Sequence, residues 1–284
     1  MTSIDDDGLG KTAANYVPLS PLSFLGRASA VFPGRAAVIY GAERLSWRDV
    51  HERAARLASA LTRRGVSTGD RVAVLLPNTP PMVVAHFGVP LAGAVLNAVN
   101  TRLDAETIAY ILEHGEAKVV ITDTQFSPAV KTALAKSGRR DRLIVDVVDP
   151  AAVMKAGEGE RLGALTWDEL LAEGDPQHPM RLPDDEWRSL ALNYTSGTSG
   201  RPKGVVYHHR GAYLMSLGTI AGWSLPANPT YLYVVPMFHC NGWCHVWAIA
   251  AMAGTMVLIR SVTANAIFAA IAEHGVTHFG GAPI

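Results

Sequence analysis

Tyr194, Thr195, Ser196, Gly197, Thr198, Ser199, Gly200, Arg201, Pro202, Lys203, Gly204 and Val205 form one uninterrupted run in the chain. The ten residues from Thr195 to Gly204 hold four hydroxyl side chains, three glycines and two cations. Such a stretch has little to bury in a core, but it is well supplied for wrapping a polyanion. Glycines let backbone N–H groups come close to an anion with no Cβ in the way. Thr195, Ser196, Thr198 and Ser199 add hydroxyl donors, and Lys203 adds a point charge on a long stem. Pro202 gives up one donor but fixes its own φ, which stiffens the approach of the lysine beside it. Apolar, strand-like runs flank the stretch, Leu190–Tyr194 before it and Val205–Tyr207 after it. The pattern predicts strand, loop, strand, a frame in which flexible Gly/Ser linkers rarely sit.

The spacing excludes two better-known loops. Counted from Gly197, a Walker motif needs glycine at 202, lysine at 203 and Ser/Thr at 204, followed by a helix. The lysine fits; Pro202 and Gly204 do not. A nucleophile elbow of the G-x-S-x-G kind around Ser199 would need glycine at 201, where arginine stands.

The run resembles, almost residue for residue, the phosphate loop of the adenylate-forming superfamily, the acyl-CoA synthetases with their relatives the luciferases and nonribosomal peptide adenylation domains. The resemblance extends along the chain from about Pro18 to the end. It takes in Leu45-Ser46-Trp47 through Leu61, Gly65 to Val74, Ala92 to Val95 and Asn100 to Leu103. It implies an α/β fold of layered subdomains, with largely parallel sheets flanked by helices, truncated at the C-terminal side. It also implies an AMP-forming acyl-CoA synthetase that uses a carboxylic acid, ATP and coenzyme A, with Mg2+. In that scheme Thr195, Ser196, Gly197, Thr198, Ser199, Gly200 and Lys203 hold the β and γ phosphates, and Thr195 contacts the magnesium ion.

A second motif, Pro236, Met237, Phe238, His239, Cys240, Asn241, Gly242 and Trp243, is similar to the segment that follows in that family. The resemblance assigns His239 to the passage between the acyl and coenzyme A sites and Trp243 to a gate on the acyl tunnel. The wording of the motif looks most like ligases of medium- to long-chain fatty acids and related carboxylates, rather than acetyl or amino-acid enzymes. His239, Cys240, Cys244 and His245 also offer four metal ligands within seven residues. Structural zinc, however, normally draws ligand pairs from two separated knuckles, so free buried cysteines beside a helix start are the expectation. His208, His209 and Arg210 fit helix capping as well as ligand contact, and carry no site assignment.

Composition agrees with a soluble intracellular enzyme. Lys plus Arg equals Asp plus Glu at 25 each in 284 residues, so no net field draws the chain to nucleic acid or an anionic membrane. The two cysteines lie too close together to staple distant parts, which suits a reducing compartment. The N-terminus, with Asp5, Asp6 and Asp7, lacks the features of a secretory signal. The most apolar stretches, Met82–Ala98 and Cys244–Ile259, are interrupted and fall short of a membrane span, which needs about 20 apolar residues. The expectations are a cytoplasmic location, no nucleic-acid partner and no membrane span, with a homodimer left open.

Periodicity predicts the elements. Ser46 with Asp49 makes a capping box for a helix ending at Gly65. There follow a strand at Arg71–Leu76, a helix at Pro80–Leu91, a strand at Ala94–Ala98, a helix at Asp104–His114 and strands at Lys118–Thr122 and Leu143–Val148. Thr166 with Glu169 caps a short helix to Leu171. Beyond the loop come a helix from His209 to Leu217, a strand at Tyr231–Val235, a helix from Trp243 to Met252, a strand at Thr255–Ile259, a helix at Ala264–His274 and a short strand at Val276–Phe279. Alternation of this kind implies α/β layers. The polar stretch Gly174–Trp187 suggests a boundary, giving a disordered tail at 1–17, a first α/β part at 18–180 and a second at 181–284.

The family's adenine-binding glycine segment, its Tyr-Gly-x-Thr-Glu motif, its ribose-binding aspartate and its C-terminal domain with the catalytic lysine have no counterpart before Ile284. The expectation is an N-terminal portion of a longer enzyme, inactive alone and holding no catalytic residue of its own. A non-catalytic phosphate-binding module and one half of a split enzyme are the other readings.

Overall fold

The computed structural model describes residues 8, 10–195 and 201–281, so Ser196, Gly197, Thr198, Ser199 and Gly200 lie outside the described residues. In chain order the elements are α1 (Leu22–Val31), β1 (Ala36–Tyr40), β2 (Glu43–Ser46), α2 (Trp47–Arg63), β3 (Arg71–Leu75), α3 (Pro80–Leu91), β4 (Val95–Ala98), α4 (Ala105–His114), β5 (Ala117–Asp123), α5 (Ser127–Lys136), β6 (Leu143–Val147), β7 (Leu165–Thr166) and α6 (Trp167–Glu173). The second half continues with β8 (Ser189–Thr195), β9 (Lys203–His208), α7 (His209–Gly222), β10 (Thr230–Tyr233), the single turn α8 (Cys240–Trp243), which is left-handed, α9 (His245–Ala251), β11 (Thr255–Leu258), α10 (Ala264–His274) and β12 (His278–Phe279).

The strands form two sheets flanked by helices. One has the order β7-β6-β5-β3-β4-β8-β9 and the other β12-β10-β11-β1-β2. All neighbours run parallel except the pairs β8–β9 and β1–β2. Parallel sheets of this kind are covered on both faces, which explains why Val72, Ala73, Val74 and Leu75 form a continuous apolar run that is buried throughout. α3 is apolar all round and lies inside the molecule, with only Pro81 of its twelve residues not buried. α2 is amphipathic and packs its face of Val50, Ala54, Leu57, Ala58 and Leu61 against the core.

The boundary expected at residue 180 does not separate the sheets. β8, which lies beyond it, pairs with β4 through Leu96↔Ala191 and completes the first sheet together with β9. β1, which lies before it, pairs with β11 through Val38↔Met256 and joins the second. Each sheet takes the two strands at one of its edges from the other half of the sequence, β8 and β9 in the first and β1 and β2 in the second, so the parallel pairings β4–β8 and β1–β11 join the halves. One apolar core runs through both sheets, from Val38 and Trp47 through Val74 and Leu96 to Trp247 and Met256. Arg260, just beyond β11, reinforces the junction with ion pairs to Asp123 at the end of β5 and Asp149 after β6.

Candidate functional site

β8 and β9 are the two strands that the flanking apolar runs predict, and they pair with each other as an antiparallel hairpin. Its register places Tyr194 opposite Gly204 and Thr195 opposite Lys203, so the two described ends of the glycine-rich run face each other across the ladder. Thr195 and Lys203 are both exposed at this mouth. β9 is the outermost strand of its sheet, which leaves the lysine open to solvent and to a ligand.

The second motif leaves β10 and turns in an unusual way. Cys240, Asn241, Gly242, Trp243 and Cys244 all have positive φ, between 50° and 61°. Five such residues in succession make one left-handed turn, a conformation that costs L-residues roughly 1–2 kcal/mol each. A strained segment of this kind persists only where its surroundings over-determine it. Three buried asparagines supply the constraint. Asn78 donates through Nδ2 to the carbonyls of Tyr233 and Val235, both at 3.1 Å, and accepts from the Met237 N–H at 2.8 Å. Asn193 donates to the Phe238 carbonyl at 3.2 Å, and Asn241 donates to the Asn193 side-chain oxygen at 2.7 Å. Gly242 lies against Tyr233 so closely that a Cβ there would be 2.8 Å from the tyrosine ring.

The effect is to bury Asn241 and Gly242 while turning His239 and Trp243 outward, the latter 43% exposed. Asn193 stands two residues before Thr195 on β8, so the Asn193–Asn241 bond ties the turn bearing His239 and Trp243 to the mouth of the β8–β9 hairpin. The two motifs are far apart in sequence and adjacent in space. None of these three asparagines carries a role in the sequence reading, although an asparagine within the apolar run Leu190–Tyr194 is a polar group that a buried strand must satisfy.

The residues behind the turn face inward. Burial pushes the Cys244 thiol up to about 12, so it stays protonated. His245 is also buried, its pKa driven down to about 4 by desolvation, and its Nδ1 lies 2.5 Å from the Tyr231 hydroxyl. Among the described residues no three His, Cys, Asp or Glu side chains gather in a way that could hold a metal ion. His208 caps α7 by accepting from the Gly211 N–H at 2.8 Å, His209 is buried against the Ser20 hydroxyl at 2.8 Å, and Arg210 pairs with Glu186 at 2.6 Å.

Two mostly parallel sheets flanked by helices, with a glycine-rich hairpin at the edge of one, define the N-terminal architecture of adenylate-forming enzymes. The chain belongs to the AMP-binding enzyme family, whose model matches residues 25–284. It is 45% identical over 287 residues to a peroxisomal acetate/butyrate–CoA ligase, AAE7, of Arabidopsis thaliana, covering 99% of this chain and 50% of the relative. It is likewise 45% identical over 291 residues to an acetate–CoA ligase, CCL3, of Humulus lupulus, covering 100% of this chain and 51% of the relative. Among solved structures, the inhibitor-bound N-terminal domain of FACL13 of Mycobacterium tuberculosis is similar with a TM-score of 0.76 at 25% identity, over 93% of this chain and 63% of that one. The chain spans about half the length of the curated relatives it matches.

Proposed function

We propose that this chain carries the phosphate-holding and acyl-side portion of an AMP-forming acid–CoA ligase. In the reaction a carboxylate oxygen attacks the α-phosphorus of ATP, the bond to the bridging oxygen breaks, and pyrophosphate leaves. The thiol of coenzyme A then attacks the acyl carbon, AMP departs with the electron pair, and the thiol proton is released. Catalysis of this kind rests on positioning and charge stabilisation. The observation that carries the reading is the buried Asn193–Asn241 bond, which sets the hairpin mouth beside the turn that presents His239 and Trp243. Phosphates held at one and an acid entering past the other would meet.

Within this proposal Lys203 and Thr195 engage the β and γ phosphates together with Ser196, Gly197, Thr198, Ser199 and Gly200. Magnesium fits as an ion carried mainly by phosphate oxygens, because Thr195 offers a single neutral hydroxyl and Mg2+ keeps most of its other ligands as water and phosphate. His239 and Trp243 line the passage for acid and coenzyme A. The two relatives are named for acetate and butyrate, which moves the proposed acid toward shorter aliphatic chains than the sequence reading favours. No helix among the described residues is long and apolar enough to cross a membrane. A cytoplasmic setting, or a peroxisomal one as in the Arabidopsis relative's name, is part of the proposal, and cell fractionation decides between them.

Turnover is proposed to need residues that the relatives carry beyond the matched half. Calorimetric titration of the chain with Mg-ATP should show binding that Lys203→Ala weakens about ten- to hundredfold, the usual range for losing a charge-assisted hydrogen bond. Acid-dependent pyrophosphate release should be absent from this chain alone. Robust release would overturn the claim of incompleteness, and ATP binding indifferent to Lys203→Ala would overturn the phosphate assignment.

A further inference from the structure

α4 contributes no atom to either motif, yet it holds both described ends of the glycine-rich run. Tyr110 and His114 lie one turn apart on this helix, with ring centroids 5.2 Å apart. Tyr194, the last residue before the hairpin mouth, sets its ring edge-on to both, at 6.5 Å from Tyr110 and 5.7 Å from His114. Its hydroxyl lies 2.8 Å from His114 Nδ1. On the returning side the Arg201 guanidinium sits over the Tyr110 ring at 5.6 Å, within range of a cation–π contact. The backbone beneath is also fitted to this arrangement. A Cβ on Gly115, the residue after His114, would stand 3.2 Å from the Tyr194 hydroxyl, 3.3 Å from Asn97 Nδ2 and 2.8 Å from the Ile111 carbonyl. Arg71 holds the Gly115 carbonyl at 2.7 Å and so fixes the end of the helix.

We propose that Tyr110 and His114 are positioning residues that clamp the two sides of the phosphate hairpin, His114 through Tyr194 and Tyr110 through Tyr194 and Arg201. The clamp sets the separation and direction of Thr195 and Lys203 before a ligand arrives. Its bearing on phosphate rests on the function proposed above; the clamp itself rests on the ring geometry alone. Preorganisation of this kind lowers the cost of fixing the hairpin on binding.

The full chain is tested as His114→Leu, His114→Gln, Tyr110→Leu and Tyr110→Phe, with Lys203→Ala as a control. Two readouts are needed: amide hydrogen exchange of the ladder residues 192–195 and 203–206 without ligand, and the affinity for Mg-ATP. The two leucine variants should speed ladder exchange and weaken Mg-ATP about five- to tenfold, on the scale of one lost hydrogen bond. Glutamine at 114 keeps a partner for the Tyr194 hydroxyl and phenylalanine at 110 keeps the ring, so both should stay close to the parent, which simple loss of helix packing would not produce. Leucine variants that leave exchange and affinity unchanged, while Lys203→Ala abolishes binding, overturn the clamp and keep the phosphate reading. Faster exchange in the leucine variants with ATP affinity indifferent to Lys203→Ala supports the clamp and overturns the phosphate reading.

Discussion

Gly242 has φ of +57° and lies directly under Tyr233, which is buried and among the largest wholly enclosed side chains. Two separate penalties therefore fall on any side chain there. An L-residue at positive φ is strained by about 1 kcal/mol in the case of alanine, and displacing a buried ring by overpacking costs about 1–3 kcal/mol. Gly242→Ala should lower the unfolding free energy by about 2–4 kcal/mol. Urea unfolding followed by fluorescence measures this, and a change under about 0.5 kcal/mol, the usual size for an inert surface substitution, would contradict it. Asn241 beside it also has positive φ, at 52°, which asparagine tolerates better than most residues, and its amide is already committed to Asn193. Cys240, Trp243 and Cys244 have neither advantage, so the backbone strain of the turn falls on these three residues.

At the level of elements, local chemistry decides where helices begin. Ser46 Oγ accepts from the Asp49 N–H at 3.2 Å while the Asp49 carboxylate accepts from the Ser46 N–H at 2.7 Å, the reciprocal capping that the sequence predicts for α2. Ser46→Ala removes one half of this box and should cost about 1 kcal/mol. A thermal or urea melt with no measurable shift would show that tertiary packing alone fixes the start of α2. α3, α4 and α10 also fall within a residue of their expected positions, because caps, prolines and apolar spacing are short-range signals. The misses lie where distant contacts decide. β1 pairs with β11, more than two hundred residues away, and nothing within Ala36–Tyr40 announces a partner. The helix expected to start at Trp243 starts at His245, since Asn78, Asn193 and Tyr233 impose a left-handed turn that no local propensity favours. Of the candidate site, Lys203, Thr195, His239 and Trp243 were legible as residue types in a recognisable order. The asparagines that bring them together were not, because their meaning comes from burial.

Across the whole molecule, three histidines lie buried inside the shared core where the sheets and helices of both halves meet. His86 is in α3, His209 opens α7 and His245 opens α9, and desolvation holds each near a pKa of about 4 against an ordinary value of 6.5. His86 donates from Nδ1 to the Met82 carbonyl at 2.8 Å, a contact that moderates the shift without reversing it. All three are neutral in the folded protein at pH 6, whereas the unfolded chain takes up a proton at each as pH drops through 6.5. Their contribution to stability is thus fully present above about pH 7 and is lost progressively between 6.5 and 4. Each depressed histidine is worth on the order of 3 kcal/mol at neutral pH, and three protons give a slope of at most about 4 kcal/mol per pH unit. Domains are typically stable by about 5–15 kcal/mol, so a decline of this size is a large share of the total. The carboxylates act lower. The hydrogen bonds from Ser137 and Arg142 hold Glu113 at about 2, so its contribution fades only below the ordinary carboxyl range. Urea unfolding at intervals from pH 7.5 to 5 should therefore show flat stability above 7 and a steep decline below 6.5. His86→Gln should reduce that slope by about one proton, roughly a third, whatever it does to stability at pH 7.5. Stability that stays constant from pH 7.5 to 5 would mean that these imidazoles gain protons without unfolding, and that the core admits water where the two sheets join.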